Sequence, residues 1–174
     1  MNLRRWAAVA ATLLATTVLT GTAHAKPSAA LVPTGPVVIT NYAHTNYLIP
    51  DDAVGNSGYL QVYYRSDHPF PRTFQFEQVS GRLGVFKWKI TSTGKCVDAL
   101  KGEVGASVYL ESCTANKSQW WVLRSNGARW VLSPFLNEEL AVTGLYGDDN
   151  FAPLRELPGP DTATASQQWF FTPQ

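Results

Sequence analysis

The chain has 174 residues, with 14 Lys and Arg against 13 Asp and Glu and a formal net charge of +1. Hydrophobic residues make up 45% and charged ones 16%, which excludes a disordered chain. The near-zero charge excludes binding of nucleic acid or an anionic membrane through bulk charge, which needs a basic surplus or stripe.

Met1 to Arg5 ends in two arginines, and Trp6 to Leu19 is an unbroken run of apolar residues and Thr. Ala23-His24-Ala25 then sets small residues around a cleavable bond. That layout predicts a secretory signal peptide over 1–25, with Lys26 as the first mature residue. About 14 helical residues reach about 21 Å, short of the roughly 30 Å hydrocarbon core, so no membrane span is expected. The mature protein is then extracellular, about 149 residues long, with a formal charge of about −1, and sized for one core. Cys96 and Cys113 are an even pair in an oxidising compartment, so a disulfide is expected rather than two thiols or a metal site. Residues 26–35 are small and proline-bearing and read as a linker.

From residue 36 onward no apolar spacing of i, i+3, i+4 and i+7 is sustained. Short apolar and aromatic runs, often alternating, lie between Gly, Asn, Asp, Ser and Pro, the pattern of strands and turns. Strands are expected near 36–41, 46–49, 59–64, 73–79, 84–91, 95–99, 107–112, 119–124, 129–133, 139–143, 152–157 and 168–172. They divide into three sets of four, over about 36–82, 83–127 and 128–174. Gln119-Trp120-Trp121-Val122-Leu123 lines up with Gln167-Gln168-Trp169-Phe170-Phe171, and Arg72-Thr73-Phe74-Gln75-Phe76 fits the same slot. Lys95-Cys96-Val97 corresponds to Glu139-Leu140-Ala141, and Val108-x-Leu110 to Ala152-x-Leu154. A period of roughly 45 residues also suits propeller blades or helical arrays. Three blades are too few for a propeller, and helical periodicity is absent. The simplest remaining architecture is all-β, three four-stranded units closing on a pseudo-threefold axis. Trp121, Trp169 and Phe74 then belong to a shared core, and Gln119 and Gln167 hydrogen-bond the backbone within their units.

At Gln119-x-Trp121 and Gln167-x-Trp169, with Gly94-Lys95-Cys96-Val97-Asp98 upstream, residues 36–174 resemble the ricin-B-type lectins. Members of that family are β-trefoils whose three repeats each end in Gln-x-Trp. The resemblance implies a β-trefoil fold, a Cys96–Cys113 bridge, no cofactor and a sugar site in each active repeat. In such a site an Asp two residues after the first Cys accepts hydrogen bonds from sugar hydroxyls. A ring after the Val-x-Leu strand stacks on the sugar, and an Asn beside Gln-x-Trp adds a polar contact.

In the second repeat Asp98 matches the acid, Glu111 stands at the ring position and Ser118 at the Asn position. Tyr109, one residue before Leu110, offers a ring if the strand faces the other way. In the third repeat Val142 and Arg155 replace acid and ring. In the first, Tyr63 supplies a ring and Gln61 a polar neighbour, but Ile49 replaces the acid unless Asp51 or Asp52 shifts in. The ligand-binding set expected from the resemblance is therefore Asp98, Tyr109, Ser118 and Tyr63.

Nothing points to catalysis. His44 and His68 lack an acid and a nucleophile at motif spacing, and no nucleophile elbow, zinc-binding helix or phosphate loop is present. Asp51-Asp52, Glu138-Glu139 and Asp148-Asp149 are adjacent acids in turns, not carboxylates set about 5–10 Å apart across a cleft. No catalytic residue and no metal ligand is assigned, so the chain is expected not to be an enzyme. Asn116-Lys117-Ser118 is a glycosylation sequon for a glycosylating host. The expected function is a secreted, monomeric, lectin-like module with degenerate sugar sites that binds a glycan weakly. The alternative is a protein-interaction unit, such as an inhibitor or a receptor-binding toxin subunit, using the tyrosine-rich first third (Tyr42, Tyr47, Tyr59, Tyr63, Tyr64).

Overall fold

The computed structural model describes residues 31–51, 58–63, 73–146, 150–159 and 162–174. The expected signal peptide over 1–25 and residues 26–30 of the linker lie outside them. So do Asp52, Tyr64, His68, Arg72, Asp148 and Asp149.

The strands are β1 (Val37–Asn41), β2 (Tyr47–Pro50), β3 (Leu60–Tyr63), β4 (Thr73–Gln78), β5 (Val85–Ile90), β6 (Cys96–Asp98) and β7 (Tyr109–Glu111). They continue with β8 (Trp120–Asn126), β9 (Arg129–Pro134), β10 (Leu140–Val142), β11 (Asn150–Phe151), β12 (Leu154–Glu156) and β13 (Trp169–Pro173). Every strand expected from the sequence has a counterpart. The addition is β11, a two-residue strand whose Asn150 and Phe151 pair with Val62 and Gln61 of β3. No α-helix occurs among the described residues. Two 3₁₀ turns, Lys117–Gln119 and Ala165–Gln167, precede β8 and β13.

Six strands close on themselves. β1 pairs with β13, β13 with β9, β9 with β8, β8 with β5, β5 with β4, and β4 with β1, all antiparallel. The result is a barrel without free edges. Of the remaining seven strands, six form the antiparallel pairs β2–β3, β6–β7 and β10–β12, and β11 adds to β3. These pairs meet at a closed cycle of backbone bonds: Leu60 N–H to Val108 O (3.0 Å), Val108 N–H to Ala152 O (3.2 Å), and Ala152 N–H to Leu60 O (2.9 Å).

Alternation along the strands fills the core. In β4, Phe74 and Phe76 are buried while Gln75 and Glu77 are exposed. Phe74, Trp88, Trp121 and Trp169 are all fully buried. Trp88 lies 5.5 Å from the Phe74 ring and 5.3 Å, edge-on, from that of Trp121. The Trp121 indole N–H donates to Val97 O at 2.9 Å, and that of Trp169 to Val142 O at 3.0 Å. The Trp121 and Trp169 rings are thus both packed and polar-satisfied, each anchored to a strand of the neighbouring hairpin, whereas the buried Trp88 indole N–H has no partner among the described residues.

The two glutamines also act alike. Gln119 donates to Ser112 O (3.0 Å) and accepts from Thr114 N–H (2.7 Å). Gln167 donates to Glu156 O (2.9 Å) and accepts from Thr164 N–H (3.0 Å). Each buried amide ties a 3₁₀ turn to the segment before it, which aims the following Trp inward.

Asn41 at the end of β1 is a second fixed point. Its side chain donates to Ser166 O (2.8 Å) and accepts from Ala43 N–H (3.0 Å) and His44 N–H (3.3 Å). A Cβ on Gly144 would lie 2.5 Å from the Asn41 amide, which those bonds hold in place. Gly144→Ala is therefore expected to lower stability by about 1–3 kcal/mol in chemical denaturation. Gly35→Ala, with nothing within 4 Å of the added carbon, serves as the near-neutral control.

Candidate functional site

The β6–β7 hairpin is fixed at its base by the Cys96–Cys113 disulfide, with Cα atoms 5.0 Å apart. Its register sets Cys96 against Glu111, Val97 against Leu110 and Asp98 against Tyr109. Directly opposed residues project to the same face with Cβ atoms about 4.5–5.5 Å apart. Acid and ring therefore share one face of this hairpin.

Asp98 is only 5% exposed, and its Oδ1 accepts from Leu100 N–H at 2.7 Å. This side-chain turn supports Leu100, whose φ of 50° lies in the left-handed region that a branched apolar residue rarely adopts. Among the described residues the Asp98 side chain makes no other hydrogen bond, so one oxygen holds the turn and the other is available. Ser118 reaches this hairpin through its carbonyl, which accepts from Ala99 N–H at 2.9 Å. Glu111, at the family's ring position, is an exposed carboxylate on β7.

Tyr109 does not stand alone. Its ring lies 4.5 Å from Tyr59, and Tyr59 lies 4.5 Å from Phe151. Each of the three rings sits beside a member of the Leu60–Val108–Ala152 cycle, so three distant segments deliver them to one strip. The Tyr109 hydroxyl donates to that of Tyr59 at 3.5 Å. This bond, with desolvation second, raises the Tyr109 phenol above the usual tyrosine value, so it stays neutral near pH 7. Phe151 is 42% exposed at the end of the strip. Asp51 flanks the other side, its N–H donating to Tyr59 O at 3.2 Å.

Tyr63 is not part of this strip. It pairs with Tyr47 across β2–β3, four residues and about 13 Å of extended chain beyond Tyr59. The rings that complete the strip, Tyr59 and Phe151, come from other hairpins and have no linear spacing to Asp98.

The His44 ring meets Tyr146 edge-on at 5.7 Å, and Glu138 ion-pairs with Arg124 at 2.6 Å. Among the described residues no three His, Cys, Asp or Glu side chains gather as a metal site. No described helix is long and apolar enough to cross a membrane.

No family model and no curated protein sequence matches the chain. Solved structures do. The chain is similar to ThreeFoil, a designed 3-fold symmetric protein, at 18% identity and TM-score 0.65, over 80% of this chain and 99% of that one. It is similar to the Polyporus squamosus lectin bound to the epitope Neu5Acα2-6Galβ1-4GlcNAc, at 16% identity and TM-score 0.62, over 82% of this chain and 50% of that one. It is also similar to a mosquitocidal holotoxin, at 12% identity and TM-score 0.66, over 83% of this chain but only 18% of the toxin. These neighbours are β-trefoil proteins, and the likeness is one of fold. The chain has a β-trefoil fold with an all-β barrel core.

Proposed function

We propose that the chain is a secreted, non-enzymatic, lectin-like module of the Gln-x-Trp type, built from three four-stranded repeats about a pseudo-threefold axis. The repeat reading is supported by the cyclic bonds among Leu60, Val108 and Ala152, and by the matched contacts of Gln119 with Gln167 and of Trp121 with Trp169. Secretion rests on the signal-peptide layout. Carbohydrate binding rests above all on one observation, the facing of Asp98 and Tyr109 in register, with the ring continued by Tyr59 and Phe151.

The chemistry suits a sugar. A carboxylate accepts charge-assisted bonds from two hydroxyls, while π surface covers the C–H face of the ring. Because Asp98 is nearly enclosed and the rings tilt against one another, contact area is small. Affinity is expected in the millimolar range, about −4 kcal/mol.

Asp98→Asn separates recognition from turn support. The amide keeps an oxygen for Leu100 N–H but removes the charge, so the melting temperature should hold while binding on a glycan array falls. Asp98→Ala should also lose about 0.5–2 kcal/mol of stability, the range for a lost capping side chain. Glycan binding unchanged by Asp98→Asn would remove the acid from the site.

A second reading, a protein-interaction unit, has its own observation. The Arg82 guanidinium covers Trp120 at 5.2 Å and Phe135 at 5.1 Å, beside Leu83 (94% exposed) and Leu136 (47% exposed). A silent glycan array, with capture of one defined protein that Leu83→Asp abolishes, would favour it.

A further inference from the structure

Tyr59 and Tyr109 lie 50 residues apart in the chain, yet the fold holds them as a fixed pair. They face each other as an isolated antiparallel bridge. Two backbone bonds flank that bridge, Leu60 N–H to Val108 O at 3.0 Å and Leu110 N–H to Gly58 O at 3.1 Å. This pattern makes 59 and 109 a non-hydrogen-bonded pair, the kind whose side chains approach more closely. Phe151 packs against Tyr59 as well, at 4.5 Å between ring centres, and limits the freedom of that ring.

The two phenol rings are in register as well as in contact. Their centres are 4.5 Å apart with the planes at 41°, and their hydroxyl oxygens are 3.5 Å apart. Rings that match at the centre and at the hydroxyl also match at the Cε carbons beside the hydroxyl. Those carbons share the unpaired spin of a tyrosyl radical. A bond between two of them holds the ring centres at nearly the separation already present, with the planes twisted. Coupling therefore needs rotation of the rings and no movement of the hairpins. Reacting atoms placed in advance in this way favour reaction within one molecule. Both residues are half-buried, so neither is sealed from a one-electron oxidant at the surface. The more exposed tyrosines are placed differently. Tyr42 packs against Phe170 and Arg129, and Tyr146 against His44.

We infer that Tyr59 and Tyr109 form a site of oxidative cross-linking, joined as dityrosine by a peroxidase acting with hydrogen peroxide. Each phenol gives up one electron and its hydroxyl proton. The two radicals couple through Cε, and the hydrogen on each coupled carbon moves to its oxygen, which restores both aromatic rings and both hydroxyls. The peroxide O–O bond breaks, and the two electrons and two protons convert it into two waters. The new carbon–carbon bond closes the segment between the first and second thirds, and unlike the Cys96–Cys113 bridge it is not reversed by thiols. Neither tyrosine needs a bound sugar for this chemistry.

The test treats the dilute mature protein with a haem peroxidase and hydrogen peroxide and isolates the monomer by gel filtration. The monomer should show dityrosine fluorescence and a mass lower by two hydrogens. After disulfide reduction and digestion, tandem mass spectrometry should join the peptide bearing Tyr59 to the one bearing Tyr109. Tyr59→Phe and Tyr109→Phe keep the packed ring but remove the phenol, and each should bring the monomer's dityrosine down to background. Tyr146→Phe should leave it unchanged. The cross-linked monomer should melt several degrees above the untreated protein. A link mapped to another pair, such as Tyr47 and Tyr63 across β2–β3, would overturn the inference. So would dityrosine confined to dimers and larger species, or a monomer signal that survives Tyr59→Phe. A correctly mapped link with an unchanged melting temperature would overturn its role as a staple.

Discussion

Replacing Trp121 with alanine is expected to remove about 3–5 kcal/mol of stability, the range for a buried aromatic truncated to a methyl. Two losses combine. The ring is fully buried and meets Trp88 edge-on at 5.3 Å, so truncation leaves a cavity walled by another rigid ring that cannot collapse into it. The indole N–H also serves Val97 O at 2.9 Å, and removing it strands a buried carbonyl. Trp169→Ala should behave alike, since Trp169 makes the corresponding bond to Val142 O at 3.0 Å. Trp121→Phe keeps most of the ring but no donor and should cost distinctly less. Trp120→Ala, at a half-buried neighbour, should also cost less. Urea denaturation of the four variants decides the matter. A loss below about 1 kcal/mol for Trp121→Ala would mean that the ring is not a core anchor.

Reducing the Cys96–Cys113 bond is the second large effect, at about 3 kcal/mol in the chain-entropy account of a loop of this length. The bridge closes the segment that carries Asp98, Leu100 and Tyr109. The β6–β7 pairing holds the same segment without a covalent bond, and Gln119 ties down the residues that follow it through Ser112 O and Thr114 N–H. The reduced protein should therefore stay folded at low temperature but melt earlier, and lose glycan binding before it loses its core. Cys96 is fully buried while Cys113 is exposed, so a reductant has access from one side. Calorimetry with and without dithiothreitol checks the midpoint, and thiol titration of protein from oxidising medium checks the bond. Two free thiols in that titration would contradict it.

The strands were legible because alternation along each one is a local property, written plainly in Thr73-Phe74-Gln75-Phe76. The Gln-x-Trp pairs were legible for the same reason, each motif lying within three residues. The binding face was only half legible. Asp98 and Tyr109 stood out singly, but their meeting depends on the register of β6 against β7, which the intervening turn sets. Tyr59 and Phe151 join through contacts between hairpins, for which no spacing in the sequence codes. Ser118 shows a different limit: its side chain was the expected contact, but its carbonyl receives the bond from Ala99. Trp88 stood only as a strand residue, although it links the Phe74 and Trp121 rings at the centre of the core.

The pairing of β1 with β13 carries a consequence for how the chain acquires its structure. Val37 to Asn41 find their partners in Trp169 to Pro173, almost the full length of the described chain away. Until those residues are available, β1 has only β4 and β2 as partners, and the barrel remains an open sheet. Folding dominated by such distant pairings is slow, because loop closure must precede the contacts that reward it. A growing polypeptide would thus stay incompletely folded until residues 169–173 had been made. Removing residues 169–173 would trap it in the open form, with two strand edges exposed to neighbouring molecules.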